Sequence, residues 1–150
     1  MIDGVIITPR TKIIDERGMV AHMLRNDEPI FSRFGEIYFS YVHPSKVKGW
    51  HLHTKMTLNY VVVFGEIKLA LYDDRNDSKT RGELMVITTG IENNYVLVTI
   101  PPNIWNGFVG LGNETSIVAN CASAPHDPNE ILRIDPWNNY LVKYDWLKND

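Results

Sequence analysis

Short runs of β-branched and aromatic residues follow one another along this chain with little between them, and that succession constrains the fold more than any other feature. Residues 37–42 read Ile-Tyr-Phe-Ser-Tyr-Val, and 58–64 form a second such run. Gly65-Glu66 supplies a turn into 67–72, where Ile67, Leu69 and Leu71 alternate with Lys68, Ala70 and Tyr72. Alternation with period two sends one set to the core and the other to solvent, so this segment reads as a half-buried strand. Further strands are expected at 83–88, 96–100 and 115–121, with a polar loop at 73–78. Pro101-Pro102 ends the strand before it, because proline has no N–H to give to a ladder. Residues 125–130 read as an irregular connection, and the tail from Asp135-Pro136 has room for one helical turn. Many short strands at close spacing predict an all-β single domain over residues 1–150, a sandwich or closed barrel of the jelly-roll type.

The remaining composition narrows the setting. With 44% hydrophobic and 22% charged residues the chain has the makings of an ordinary packed core, which excludes disorder. The formal charge of -3, with no run of Lys and Arg, makes nucleic acid an unsuitable partner. The single cysteine, Cys121, allows no internal disulfide and fits a reducing compartment. The start, Met1-Ile2-Asp3-Gly4-Val5, lacks the basic and apolar regions of a signal peptide, and no apolar stretch reaches the roughly 18 residues of a membrane span. The expectation is a cytoplasmic protein with no membrane partner.

Chemistry points to Val47-Lys48-Gly49-Trp50-His51-Leu52-His53. Two residues at i and i+2 share one face of a strand, so His51 and His53 point together into whatever the sheet encloses. Imidazole suits both proton transfer near neutral pH and metal ligation, and spacing alone leaves the two open.

Gly49-Trp50-His51-Leu52-His53, Gly65, Ile100-Pro101-Pro102-Asn103 and Asn106-Gly107-Phe108 follow the two-motif layout of cupins. More closely, Asp15-Glu16-Arg17-Gly18, Lys48-Gly49-Trp50-His51, the Gly65 turn, Asp73-Asp74-Arg75 with Ser78 and Thr80, and Ile100-Pro101-Pro102 resemble the dTDP-4-dehydrorhamnose 3,5-epimerase branch. The resemblance covers most of residues 12 to 138. It implies a cupin-type jelly-roll β-barrel, a homodimer, and a nucleotide-linked 4-keto-6-deoxy sugar as substrate, with dTDP as the nucleotide. It also implies no cofactor and no metal, since these epimerases work without one.

The residues agree on the metal. A cupin metal site adds a carboxylate shortly after the second histidine and a third histidine in the second motif, where this chain has Thr57-Leu58 and Asn106. Two imidazoles fall short of the three protein ligands such sites need. For catalysis the resemblance makes His51 the base that removes a proton next to the ketone, a task for a neutral imidazole in a partly dry pocket. His53 is expected to share that role, to orient the sugar or to be packed. The family's catalytic tyrosine falls near Ser123-Ala124, its pocket lysine at Leu58, and its assisting aspartate in a C-terminal extension that the sequence up to Asp150 does not supply. Tyr60, which shares the inward parity of Leu58, is the phenol expected in the tyrosine's place.

Arg17 matches an arginine that grips the diphosphate in the family, and Lys48 stands where a second arginine is usual, a point charge in place of a fork. Glu36, Tyr38 and Ser40 alternate on one strand face and are expected to touch base or ribose; Asn106 and Asn120 complete the substrate-contacting set. Trp105 is expected to be a wall of the barrel. Two functions follow: an epimerase or isomerase working through an enolate, in deoxysugar or cell-surface polysaccharide biosynthesis, or a non-catalytic cupin that holds a sugar nucleotide or saccharide.

Overall fold

Two five-stranded antiparallel sheets face each other across a dry interior. A computed structural model describes residues 1–148. In chain order its strands are β1 (Ile6–Pro9), β2 (Lys12–Asp15), β3 (Gly18–Ala21), β4 (Glu36–Val42), β5 (Val47–His53) and β6 (Leu58–Phe64). They continue as β7 (Glu66–Asp73), β8 (Leu84–Gly90), β9 (Val96–Ile100), β10 (Ile104–Gly110), β11 (Ser116–Ala122) and β12 (Ile131–Arg133). One sheet runs β1-β9-β6-β11-β4 and the other β12-β5-β10-β7-β8, while β2 and β3 pair only with each other. From β4 to β12 sequence neighbours alternate between the two sheets except for the β7–β8 hairpin, which is the crossing pattern of a jelly roll. Among the described residues there is no helix, so the helical turn expected after Pro136 is absent; bends and Asx turns at Asp135 and Asn139 take its place.

The interior is built by alternate positions. Leu58, Tyr60 and Val62 from β6 meet Ile67, Leu69 and Leu71 from β7 and Phe108 from β10. Each such aliphatic side chain contributes roughly 1.5–3 kcal/mol on burial. The outer faces are covered too, and here the structure departs from the half-buried reading of β7. Lys68 and Ala70, expected in solvent, are buried. The chain beyond residue 134 folds back across this sheet, laying Val142 and Trp146 against Trp50, Ala70 and Val109. Trp50 and Trp146 pack with ring centroids 4.7 Å apart and planes tilted by 49°. Gly49 and Gly107 make room for that tail, because a Cβ on Gly107 would lie 2.8 Å from the Trp146 ring and 2.9 Å from the Gly49 Cα. On the other sheet Met23, Leu24 and Ile30 cover Val61, Leu97 and Ala119.

Beyond the strands foreseen, β1, the β2–β3 hairpin, β10 and β12 had no clear alternation to announce them. β12 matters most, since it closes the sheet beside β5, with Ile131 opposite His53 and Arg133 opposite His51.

Candidate active site

A cavity of about 640 Å³ opens at one end of the barrel. β4 contributes Glu36, Tyr38 and Ser40 to its wall, as the alternation on that strand predicted. β5 contributes Lys48, His51 and His53, and β6 contributes Tyr60. Four further lining residues escaped the sequence reading: Phe108, His126, Ile131 and Arg133.

The three β5 residues share the cavity because the strand is irregular. Asn106 pairs with His51 while Phe108 pairs with Lys48, so two steps on β10 match three on β5. Such a bulge shifts side-chain parity by one. Lys48 and His51, an odd number of residues apart, therefore face the same way, and Trp50 turns outward into the cluster under the tail.

The two histidines sit in different electrostatic settings. His51 is half-buried, and its pKa is lowered to about 4, first by burial and then by the charges of Arg133, His53 and Lys48. It is neutral at physiological pH. His53 is buried, and its Nδ1 makes a short hydrogen bond to Oε1 of Glu130, which is itself only 4% exposed. The second oxygen, Oε2, accepts from the backbone N–H of Lys55 at 3.0 Å and of Met56 at 3.3 Å. Burial pushes the Glu130 carboxyl up, but these bonds from His53 and the backbone outweigh it and hold it below the usual range. A carboxylate partner is thus present, on the second histidine rather than the first. Nothing in sequence pointed to Glu130, which lies 77 residues from His53 in a segment read as an irregular connection.

Tyr38 and Tyr60 form the opposite wall. Asn120 Nδ2 donates to the Tyr38 hydroxyl at 2.9 Å. Burial raises both phenols, Tyr60 well above its ordinary value, so both are neutral acids at working pH.

Three expected substrate contacts lie elsewhere. Asn106 is buried behind the cavity wall, where its Nδ2 donates to the backbone oxygens of His51 and Ile104. Asn120 is buried behind Tyr38, and its Oδ1 accepts from the Asn59 N–H at 2.9 Å. Both are buried and do not line the cavity, and their side chains are hydrogen-bonded to neighbouring strand residues. Arg17 lies at the tip of the β2–β3 hairpin, exposed and paired with Asp15 at 2.6 Å, and does not line the cavity. Trp105 is buried in the cluster beneath the tail, a wall as expected. At the family's tyrosine position, Ser123 Oγ accepts from the Thr57 N–H. Among the described residues no three His, Cys, Asp or Glu side chains converge as a metal site would require.

Known proteins share this fold and much of this sequence. The spore coat polysaccharide biosynthesis protein SpsL of Bacillus subtilis is 32% identical over 148 residues, covering 97% of each chain. The crystal structure of a dTDP sugar isomerase from Desulfovibrio desulfuricans is 42% identical, with a TM-score of 0.94 over 99% of this chain and 94% of that one. NovW, a 4-keto-6-deoxy sugar epimerase of Streptomyces spheroides, shares the fold at 19% identity and a TM-score of 0.85, over 98% of this chain and 76% of NovW. The family model described as dTDP-4-dehydrorhamnose 3,5-epimerase matches residues 1–149. This chain belongs to the dTDP-4-dehydrorhamnose 3,5-epimerase family.

Proposed function

We propose that this protein epimerises or isomerises a dTDP-linked 4-keto-6-deoxy sugar by removing a proton from the carbon next to the ketone. The observation that carries the proposal is the convergence of the β5 histidines His51 and His53 and two neutral phenols on one cavity that Lys48, His126 and Arg133 also line. His51 and His53 are the candidate bases, and Tyr38 or Tyr60 is the candidate proton donor. Lys48 and Arg133 offer positive charge for the diphosphate, and Glu36 and Ser40 offer acceptors and a hydroxyl to the rest of the nucleotide. The C–H electron pair becomes the C=C of an enolate while the carbonyl π pair moves to oxygen. Partly dry surroundings strengthen every donor aimed at that oxygen.

The decisive experiment uses heavy water and the dTDP-linked 4-keto-6-deoxy sugar. An enzyme washes deuterium into the carbons flanking the ketone; a non-catalytic cupin binds the nucleotide sugar and leaves those positions unlabelled. The donor set also favours a reaction without metal, so activity is expected to survive dialysis against EDTA with no metal restored.

The same proposal includes a homodimer. Edge strand β4 exposes Ile37, Phe39 and Tyr41, and the β2–β3 hairpin exposes Ile13, Ile14, Met19 and Val20. A lone two-stranded hairpin is marginal in water, and an apolar edge strand invites pairing. A second copy would cover both. The diphosphate role of Arg17 then depends on that pairing, since the residue stands away from its own chain's cavity.

A further inference from the structure

One short strand gives the two histidines opposite surroundings. β12 sets Arg133 directly across from His51, and the residue just before the strand, Glu130, reaches the neighbouring His53. We infer that His53, held by Glu130, is the base that takes the carbon-bound proton, and that His51 is a neutral donor to the developing enolate oxygen. This rests on the catalytic reading above and assigns its parts.

The geometry argues each half. With Nδ1 committed to a carboxylate, the His53 ring carries its hydrogen on Nδ1 and its lone pair on Nε2, which has no partner among the described residues. His53 lines the cavity, so that lone pair is the one a substrate meets. A carboxylate on the far nitrogen fixes the tautomer and stabilises the imidazolium that forms when the proton arrives. Glu130 is well suited to the task because its other oxygen is tied to two backbone N–H groups, so the carboxylate does not turn away. His51 has the reverse setting. Its ring has no carboxylate partner, and Arg133 and Lys48 both oppose a positive charge there. A neutral imidazole is a poor proton acceptor in that company but a good N–H donor to an oxygen gaining negative charge.

The step balances within the site. The proton passes from carbon to Nε2 of His53, the C–H pair forms the enolate double bond, and the carbonyl π pair goes to oxygen, where the His51 N–H meets it. Return of that proton from Nε2 to carbon restores the ketone and the neutral His53; in net inversion Tyr38 or Tyr60 gives its proton to the opposite face of the carbon, and proton exchange with solvent resets the phenolate and the His53 imidazolium. Glu130 touches no reacting atom and is a positioning residue.

A purely structural role for the pair is the competing account, in which Glu130 only fastens the loop before β12 to β5. The test compares His53→Asn, Glu130→Gln and His51→Asn for deuterium wash-in, with dTDP affinity by calorimetry and melting as controls for folding. The expected result is a loss of at least about a hundredfold in exchange for His53→Asn, the lower range for general-base catalysis. Glu130→Gln should lower kcat at least tenfold with dTDP affinity unchanged, and Glu130→Asp should recover part of that loss. Nitrogen-15 spectra of the imidazoles should show His53 with Nδ1 protonated, a signature that Glu130→Gln removes. If His51→Asn alone abolishes exchange while the other two variants keep wild-type kcat, the assignment is overturned and the catalytic reading stands. If the wild type shows no exchange on any 4-keto sugar nucleotide, both fall together.

Discussion

Asn120 Nδ2 on β11 donates to the hydroxyl oxygen of Tyr38 on the neighbouring strand β4 at 2.9 Å, while Tyr60 lies on β6, the other neighbour of β11. That amide donor occupies one lone pair of the Tyr38 oxygen, and the phenol's own hydrogen is left for the cavity it lines. Tyr60, by contrast, is packed into the core cluster and only 8% exposed.

Tyr38 is therefore expected to be the more damaging phenol to remove. Tyr38→Phe should cut net conversion of the sugar by about a hundredfold or more, within the range for general acid catalysis. Deuterium wash-in on the histidine side should fall much less. Tyr60→Phe should cost less in conversion, since Asn120 still holds Tyr38. Following product by NMR in heavy water separates conversion from exchange; a larger loss for Tyr60→Phe would reverse the assignment.

Acid should destabilise the fold through His51. Its pKa falls from an ordinary 6.5 to about 4 on folding. Between those values the unfolded chain binds a proton that the folded chain refuses, so stability drops as pH falls through that window and is flat, for this group, below it. The loss is at most about 3 kcal/mol. Urea midpoints at pH 7, 5.5 and 4 should fall less steeply in His51→Asn than in wild type. Parallel curves would show that the ring is more solvated than its surroundings suggest.

Asp73 should be one of the most costly polar residues to lose. Fully buried at the end of β7, it accepts from Arg75 Nε at 2.9 Å, from Arg75 Nη2 at 2.8 Å and from Thr80 Oγ1 at 2.7 Å, as well as from Ser78. The Arg75 bonds hold its carboxyl far below the usual range. Removing one member of such a network strands the others, and Asp73→Ala is expected to lose about 3–5 kcal/mol by denaturant titration. Unchanged cavity chemistry in the surviving folded fraction would confirm that this cluster ties the Asp3 segment to the β7–β8 loop and does no more.

Lys48 should hold phosphate as a point charge. Lys48→Ala is expected to weaken dTDP binding several-fold at low salt, with the difference shrinking as ionic strength rises, because screening shortens to about 3 Å at 1 M. Lys48→Arg should keep or tighten binding by offering a fork. Arg17→Ala should weaken binding only where the protein is dimeric, so calorimetry paired with light scattering across a dilution series tests both claims. Equal affinity in all three variants would place the diphosphate elsewhere.

Local patterning carried the all-β class, the bounds of β6 and β9, the turn at Gly65, and the shared face of His51 and His53. Each depends on a period of two residues or on one backbone conformation, such as the positive φ of 70° at Gly65, and a few neighbouring residues suffice to encode it. The burial of Lys68 and Ala70 had no such signal, because it depends on a tail that begins more than sixty residues later. The same holds at the site. Parity places Lys48 opposite His51 until the bulge against β10 brings them together. Glu130 reaches His53, and Arg133 faces His51, through the pairing of β12 with β5. Strand pairing over such separations is chosen by how whole sheets pack and close, not by the residues on either side of a bond. Side-chain direction is thus a local property of a strand, whereas the partner a side chain finds belongs to the assembled barrel.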